Sequence, residues 1–444
     1  MGTTDFQITP EFRENIRNQI IGLDAPVTLK DGTQAPLINL DNSATTPSFK
    51  AVFDEVRKQL DYYGSIGRGK GQKSVHSTQI YENGRERVLR FFGATPEKYT
   101  AFYCTSASDG LNRLATALIT DKSDLVLISR MEHHSNDLPW RHCGTPIYID
   151  VDSQGRLKTE DVEHLLREHA GAVKFVSVTA ASNVTGYVND VHAIAEIAHR
   201  YGAQIVVDAT QIVAHRRLSA CGNTPEADLD YIVFSSHKMY APFGGGAVVG
   251  KLSHLQKCLP HFYGGGIVDV VSDWAETYLS APERYEVGSP NYVGVVAMLK
   301  TMDILDAYGF DAIEEHEQRL LKYAIDGLRK IPGLKLYADC ENISDRIGVL
   351  VFNLEGILHS DVAQQLAEMR GIAVRQGSFC SHPYVCRLLG ICDETITECM
   401  CRSDFILPGM VRVSFGIYND ESDVDALLSC LKKISAAPQT LRQS

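Results

Sequence analysis

Residues 230–246 read "DYIVFSSHKMYAPFGGG". Tyr231, Ile232, Val233 and Phe234 form an unbroken apolar run, the pattern of a strand buried on both faces. The run stops at Ser235, Ser236, His237 and Lys238, ahead of three glycines. A buried strand has no packing use for a lysine at its exit. A lysine that bonds covalently to a cofactor does, because desolvation lowers its pKa and frees the amine as a nucleophile.

Similar runs recur on both sides of it. They are "PLINLDN" (36–42), "TAFYCTS" (100–106), "DLVLISR" (124–130), "TPIYIDV" (145–151), "VKFVSVTA" (173–180), "AQIVVDAT" (203–210) and "GAVVGK" (246–251). Between many of them lie helical patterns such as "DGLNRLATALI", "TEDVEHLLREHA" and "VHAIAEIAHRYG". Apolar strands separated by helices predict an α/β fold with a mainly parallel sheet covered on both faces. Ligands of such sheets sit beyond the carboxyl ends of the strands. A helical stretch over 293–331 contains no strand pattern. A smaller α/β unit follows, with "RIGVLVFNL", "SDVAQQLAEMRGI", "GMVRVSFGIYN" and "SDVDALLSCLKKI". The expected division is a large domain over 37–295 and a small C-terminal domain over 296–444, with residues 1–36 packing on the small one.

The chain has 444 residues, 44% of them hydrophobic and 22% charged, enough for two sizeable cores. A formal charge of -12 argues against nucleic acid or an anionic membrane as partner. The N-terminus lacks a secretory signal pattern, and Phe6 stands where a myristoylation signal needs Ser or Thr. With no need for disulfide staples in a chain of this size, the eleven cysteines predict a reducing cytoplasm.

Three strand exits carry residues suited to one cofactor. Asp208 and Gln211 follow one run, Ser235, His237 and Lys238 a second, and His133 and His134 a third. An aspartate to keep a pyridine nitrogen protonated, a lysine to hold an aldehyde and an imidazole to stack on the ring are what pyridoxal 5'-phosphate requires. Its phosphate needs backbone N–H groups at a helix start. "CTSASDGLNRLA" supplies them around Ser106, Ala107 and Ser108. A competing reading, "GSIGRGKG" at 64–71 as a phosphate loop, fails twice. Gly71 replaces the magnesium-binding hydroxyl, and the preceding stretch is helical rather than a strand. Those glycines read instead as a flexible loop around Arg68 near the mouth of a site.

Over about residues 37–435 the chain resembles the fold-type I, class V aminotransferase-like enzymes, and within them the cysteine desulfurase and selenocysteine lyase group. The resemblance rests on "LDNSATTP", "MEHHSNDLPW", "SNVTG", "VDATQIVAH", "FSSHKMYAPFGGG", "EVGSPN", "VRQGSFCSHP" and "VRVSFGIYN". It implies that Lys238 bears the cofactor, His133 stacks on its ring, Asp208 pairs with the ring nitrogen and Gln211 donates to its phenolic oxygen. Ala107, Ser108, Ser235 and His237 would bind the phosphate, and Asn183 would contact substrate or cofactor. Ser289 would reach the phosphate of a neighbouring subunit, which implies a homodimer. Arg412 would clamp the substrate carboxylate, a task that suits a guanidinium fork. Cys380 would attack the sulfur of L-cysteine as a thiolate, its pKa lowered with help from Arg375 or His382. The implied reaction yields L-alanine and a Cys380 persulfide that passes to an acceptor.

An alternative keeps the cofactor and changes the chemistry, to elimination, transamination, epimerisation or carbon–carbon bond formation, with Cys380 a pocket residue. Ser378 and Phe379 stand where the desulfurase group often has a histidine before the cysteine, a pattern that also resembles the molybdenum-cofactor sulfurases. Cys386, Cys392, Cys399 and Cys401 follow Cys380 closely. They pack a loop as small apolar residues or relay sulfur. A metal centre ranks last, and no metal is expected, because a C-x-x-C pair is missing.

Overall fold

The computed structural model describes residue 9, residues 15–67 and 69–392, residues 395 and 397, and residues 408–436. Arg68, Cys399 and Cys401 lie outside the described residues. Seven of the expected strands form one sheet: β1 (Tyr99–Cys104), β2 (Leu125–Ser129), β3 (Thr145–Ile149), β4 (Val173–Thr179), β5 (Gln204–Asp208), β6 (Tyr231–Ser235) and β7 (Gly246–Lys251). Their order is β1-β7-β6-β5-β4-β2-β3. β7 runs antiparallel to both of its neighbours and the other pairs are parallel. All five residues of β6 are buried, as its unbroken apolar run requires. Because β1, β2, β4, β5 and β6 point the same way, Lys238, Asp208 and His133 leave the sheet at one edge.

"PLINLDN" does not join this sheet. Its two-residue strand Ile38–Asn39 pairs in parallel with Ile372–Ala373, and Ile38 and Leu40 belong to the second core. That core surrounds a four-stranded sheet of Leu334–Leu336 (β8), Val349–Leu354 (β9), Arg375–Gly377 (β10) and Met410–Ser414 (β11), in the order β8-β9-β11-β10. The long helical stretch is two helices, Tyr292–Tyr308 and Phe310–Leu328, interrupted at Gly309, whose φ of +92° a side chain would resist.

Packing changes hands later than the expected boundary at residue 295. Met298, Met302, Leu305, Phe310 and Ile313 still pack in the large core, whereas Leu320, Leu321, Ile325 and Leu328 pack in the small one. The helix over Tyr292–Tyr308 is buried around most of its circumference, so it sits inside the large domain rather than beside it. The segment from residue 15 to 36 touches both units. Ile20 and Leu23 join the large core, while Arg17 pairs with Asp423 at 2.8 Å and Lys30 with Glu368 at 2.6 Å in the small one. No helix among the described residues is long and apolar enough to cross a membrane.

Candidate active site

A cavity of about 340 Å³ opens at the carboxyl edge of the parallel strands. Ala107, Ser108, His133, Asn183, Asp208, Gln211, Ser235, His237, Lys238, Arg375, Cys380 and Arg412 all line it. Ser289 does not. It lies exposed in a separate cleft with Arg113, Glu286 and Asn291.

At one end a helix starts. Ala107–Leu118 is N-capped by Ser106, whose side chain accepts from Asp109 N at 3.2 Å. Ser235 Oγ accepts the Ala107 amide at 2.6 Å, and Ser108 Oγ meets Ser135 Oγ at 2.6 Å. Helix amides and hydroxyls gathered this way are suited to an anion. Lys238 ends a short turn, Ser236–Lys238, that the "LDNSATTP" segment braces. Thr46 N and Oγ1 both donate to His237 O, at 3.0 and 3.1 Å, and Tyr240 N donates to Thr46 Oγ1 at 2.6 Å. Thr45 and Thr46 carry no charge and no chemistry, so sequence reasoning gave them no role. Their clustering in one motif was the available signal.

Burial, followed by the charge of Arg412, pushes the Lys238 amine down to about 8. Burial and then Lys238 hold His133 at about 3 and His237 at about 4, so both imidazoles are neutral. The Ser135 amide donates to His133 Nδ1 at 3.1 Å, which assigns that ring the Nε2–H tautomer. Asp208 is buried at the end of β5, accepts from Thr210 N at 3.0 Å, and has its pKa raised chiefly by burial. A cationic ring nitrogen is the partner that would offset this desolvation. Behind it lies a residue the sequence reading passed over. Glu132 is buried, accepts from Thr179 N at 2.9 Å and Asn136 Nδ2 at 2.7 Å, and contacts Ser129 Oγ. Burial pushes its pKa up to about 8, so it is a neutral acid at pH 7.

The opposite end holds the cysteine and the arginines. Arg412, from β11, is buried; its Nη1 donates to Asn183 O at 2.9 Å and its Nη2 meets Asp41 Oδ1 at 3.1 Å. Arg375, from β10, reaches the other Asp41 oxygen at 2.7 Å. One carboxylate thus orients two guanidiniums, and one positive charge remains for a substrate carboxylate. Phe379 covers Arg412, with Cζ 5.0 Å from the ring centroid. Burial lowers Arg412 to about 10, which leaves it cationic at neutral pH. Cys380 is exposed at the rim.

Two candidates are engaged differently from expectation. Asn183 directs its side chain to the cysteine segment, donating to Phe379 O at 2.8 Å and accepting from Ser381 Oγ at 3.0 Å. Gln211 Nε2 donates to Ser43 O at 3.0 Å, so the expected donor is held by the backbone, and Oε1 has no partner among the described residues. Of the later cysteines, Cys386 is buried in the helix His382–Leu389, as a packing residue would be, and Cys392 is exposed.

Four buried polar atoms of this one cavity lack a partner among the described residues: Ser43 Oγ, Thr210 Oγ1, Gln211 Oε1 and Arg412 Nε. Leaving buried polar groups unpaired costs about 1–3 kcal/mol each. Such a cluster marks the seat of a polar ligand. A lysine of depressed pKa, a buried carboxylate, a neutral imidazole and a helix-start anion cradle are the groups that pyridoxal 5'-phosphate would engage, and the residues present fit it.

Comparison with known proteins agrees with this chemistry. Residues 38–427 match the family model described as aminotransferase class-V. A probable cysteine desulfurase from Halalkalibacterium halodurans is 33% identical over 422 residues, covering 92% of this chain and 95% of that protein. A cysteine desulfurase from Haloferax volcanii is 31% identical, covering 90% of each. Among solved structures, the apo cysteine desulfurase from Thermococcus onnurineus superposes with a TM-score of 0.81 at 27% identity, covering 98% of this chain and 99% of that one. The Escherichia coli cysteine desulfurase CsdA, in an S-sulfonic acid form, gives 0.79 at 28% identity, covering 95% and 98%.

Proposed function

This chain belongs to the class-V aminotransferase family, whose members use pyridoxal phosphate, and we propose that within it the protein is a cysteine desulfurase. The observation that carries the reading is one cavity that joins Lys238, Asp208 and His133 to Arg412 and Cys380 and holds four buried polar atoms with no partner among the described residues. When bound, pyridoxal 5'-phosphate supplies an electron sink that labilises bonds at the Cα of an amino acid joined to it.

The residues divide the work by position. Lys238 would hold the cofactor and would take and return the Cα proton; its depressed pKa suits that exchange near neutral pH. Asp208 would pair with the cofactor's ring nitrogen and His133 would stack on its ring. Ala107, Ser108, Ser235 and His237 would hold its phosphate, and in a homodimer Ser289 of the partner subunit would complete that site. Arg412, set by Asp41 and seconded by Arg375, fixes the L-cysteine carboxylate and turns its sulfur toward Cys380. The Cys380 thiolate attacks that sulfur: the S–S bond forms, the C–S bond breaks, and Cβ keeps the electron pair and gains a proton. The products are L-alanine and a persulfide on Cys380. An external thiol or an acceptor protein then removes the sulfane sulfur. A reducing cytoplasm is the compartment that keeps such a thiol competent.

The test is product analysis with L-cysteine and dithiothreitol. Sulfide and alanine in equal amounts, together with a Cys380 peptide one sulfur atom heavier before reductant is added, support the reading. Turnover of cysteine that survives in Cys380→Ala would place the reaction elsewhere in the family.

A further inference from the structure

We propose that His134 and His382 form a clasp that positions Cys380 for attack; this deepens the desulfurase reading and rests on it. Phe379 and Cys380 have φ values of +53° and +55°, two successive non-glycine residues in the left-handed region. Side chains adopt that conformation rarely, and it persists where the surroundings hold it.

The holding contacts come from two sides. From one, the Asn183 amide binds Phe379 O and Ser381 Oγ. From the other, His134 N donates to Cys380 O at 2.7 Å. The His134 ring then meets the next turn: its Nε2 lies 3.0 Å from His382 Nδ1 and 3.4 Å from His382 N, with the rings within 7° of parallel and their centroids 4.8 Å apart.

A backbone N–H can only donate, so His134 Nε2 is the unprotonated acceptor and His382 Nδ1 carries the hydrogen. Burial, then the neighbouring His382, lowers the pKa of His134, and burial lowers that of His382, so the neutral pair this arrangement needs prevails at pH 7. The consecutive histidines after β2 therefore divide two tasks. His133 lines the cavity, while His134 reaches across to the segment that carries the nucleophile.

His134 and His382 are positioning residues, and the test separates positioning from cofactor binding. Holoenzyme carrying His382→Leu or His382→Asn is compared with the unsubstituted chain by cofactor absorbance, by the L-cysteine concentration that half-saturates the spectral change, by single-turnover persulfide formation on Cys380, and by hydrogen exchange of the peptide spanning 378–382. Losing one half-buried hydrogen bond predicts for His382→Leu about tenfold slower persulfide formation and about tenfold faster exchange, with absorbance and half-saturation unchanged. His382→Asn, whose amide reproduces the Nδ1 donor, recovers most of both. Unsubstituted rates and exchange in His382→Leu would overturn the clasp, and so would equal losses in the Leu and Asn variants. Should His382→Leu not fold, His134→Ala is read by the same exchange measurement. If the unsubstituted enzyme makes no persulfide from cysteine, the desulfurase reading fails while exchange still decides the clasp.

Discussion

The Lys238 amine offers a direct check on the electrostatics of the cavity. Burial and Arg412 bring it from 10.5 to about 8. At pH 7 the free amine is then about one molecule in ten, against about one in three thousand for an unperturbed lysine, a difference of about 3 kcal/mol. Competitive acetylation of the cofactor-free protein measures this. Trace acetic anhydride is added at successive pH values with N-acetyl-lysine as internal standard, and the Lys238 peptide is quantified by mass spectrometry. The midpoint should fall near 8. Arg412→Gln removes a lowering influence that ranks second to burial, so its midpoint should rise by less than about one unit. A Lys238 midpoint at or above 10, or a midpoint that falls in Arg412→Gln, would refute the assignment of cause.

Cys380→Ser should keep the cofactor absorbance and its response to L-cysteine yet lose at least about 100-fold in sulfide release, because a hydroxyl cannot form the S–S bond. Asp208→Ala removes the carboxylate expected at the ring nitrogen; steady-state assay should give turnover at least about 100-fold lower, equivalent to about 2.7 kcal/mol, with protein stability at pH 7 unchanged or raised, since a buried carboxylate is lost. Glu132→Gln places an NH₂ against either Thr179 N or Asn136 Nδ2, donor facing donor, and chemical denaturation at pH 6 should show about 1–3 kcal/mol of destabilisation. The folded-state pKa of Glu132 is raised to about 8, above its unfolded value, so its neutral form is favoured below that pH. Its contribution should therefore be lost as pH rises from about 5 through 8, and the gap between wild type and Glu132→Gln should narrow over that range.

The sheet was legible because each of its strands is an apolar run with a period a reader can count, and because parallel strands put their exits on one edge. That geometry turned Asp208, His133 and Lys238 from scattered polar residues into one site. Arg412 and Cys380 were a different case. Each comes from the small unit, and nothing local in the sequence says that β11 and the segment after β10 face the first sheet; the family resemblance supplied that. "PLINLDN" misled because a short apolar run states its burial but not its partner, and Ile38 found one in the small unit. Gly309 was visible in the sequence, but a single glycine in a helical pattern does not announce a break. Asp41, Thr46 and Glu132 were missed because they act on other residues, and a bracing contact between segments far apart in sequence has no signature at either end.

The gradient of exposure across the cavity ties these features together. Asp208 and Arg412 are buried, Lys238 is half-buried with its amine facing the cavity, and Cys380 stands exposed at the rim. Proton transfer at Cα gains from a water-poor environment, where the lysine pKa is low and the Arg412–carboxylate contact is strong. A sulfur that must leave on an acceptor needs the reverse: a thiol reachable from outside. Both demands are met by a cysteine carried on a segment that spans the boundary, exposed itself while its neighbours Phe379 and Ser381 are buried. The contacts to Phe379, Cys380 and Ser381 from Asn183 and His134 add to the burial of Phe379 and Ser381 and hold the exposed Cys380 between them. On this argument, loosening those contacts should affect the sulfur-transfer step while leaving the buried half of the site intact.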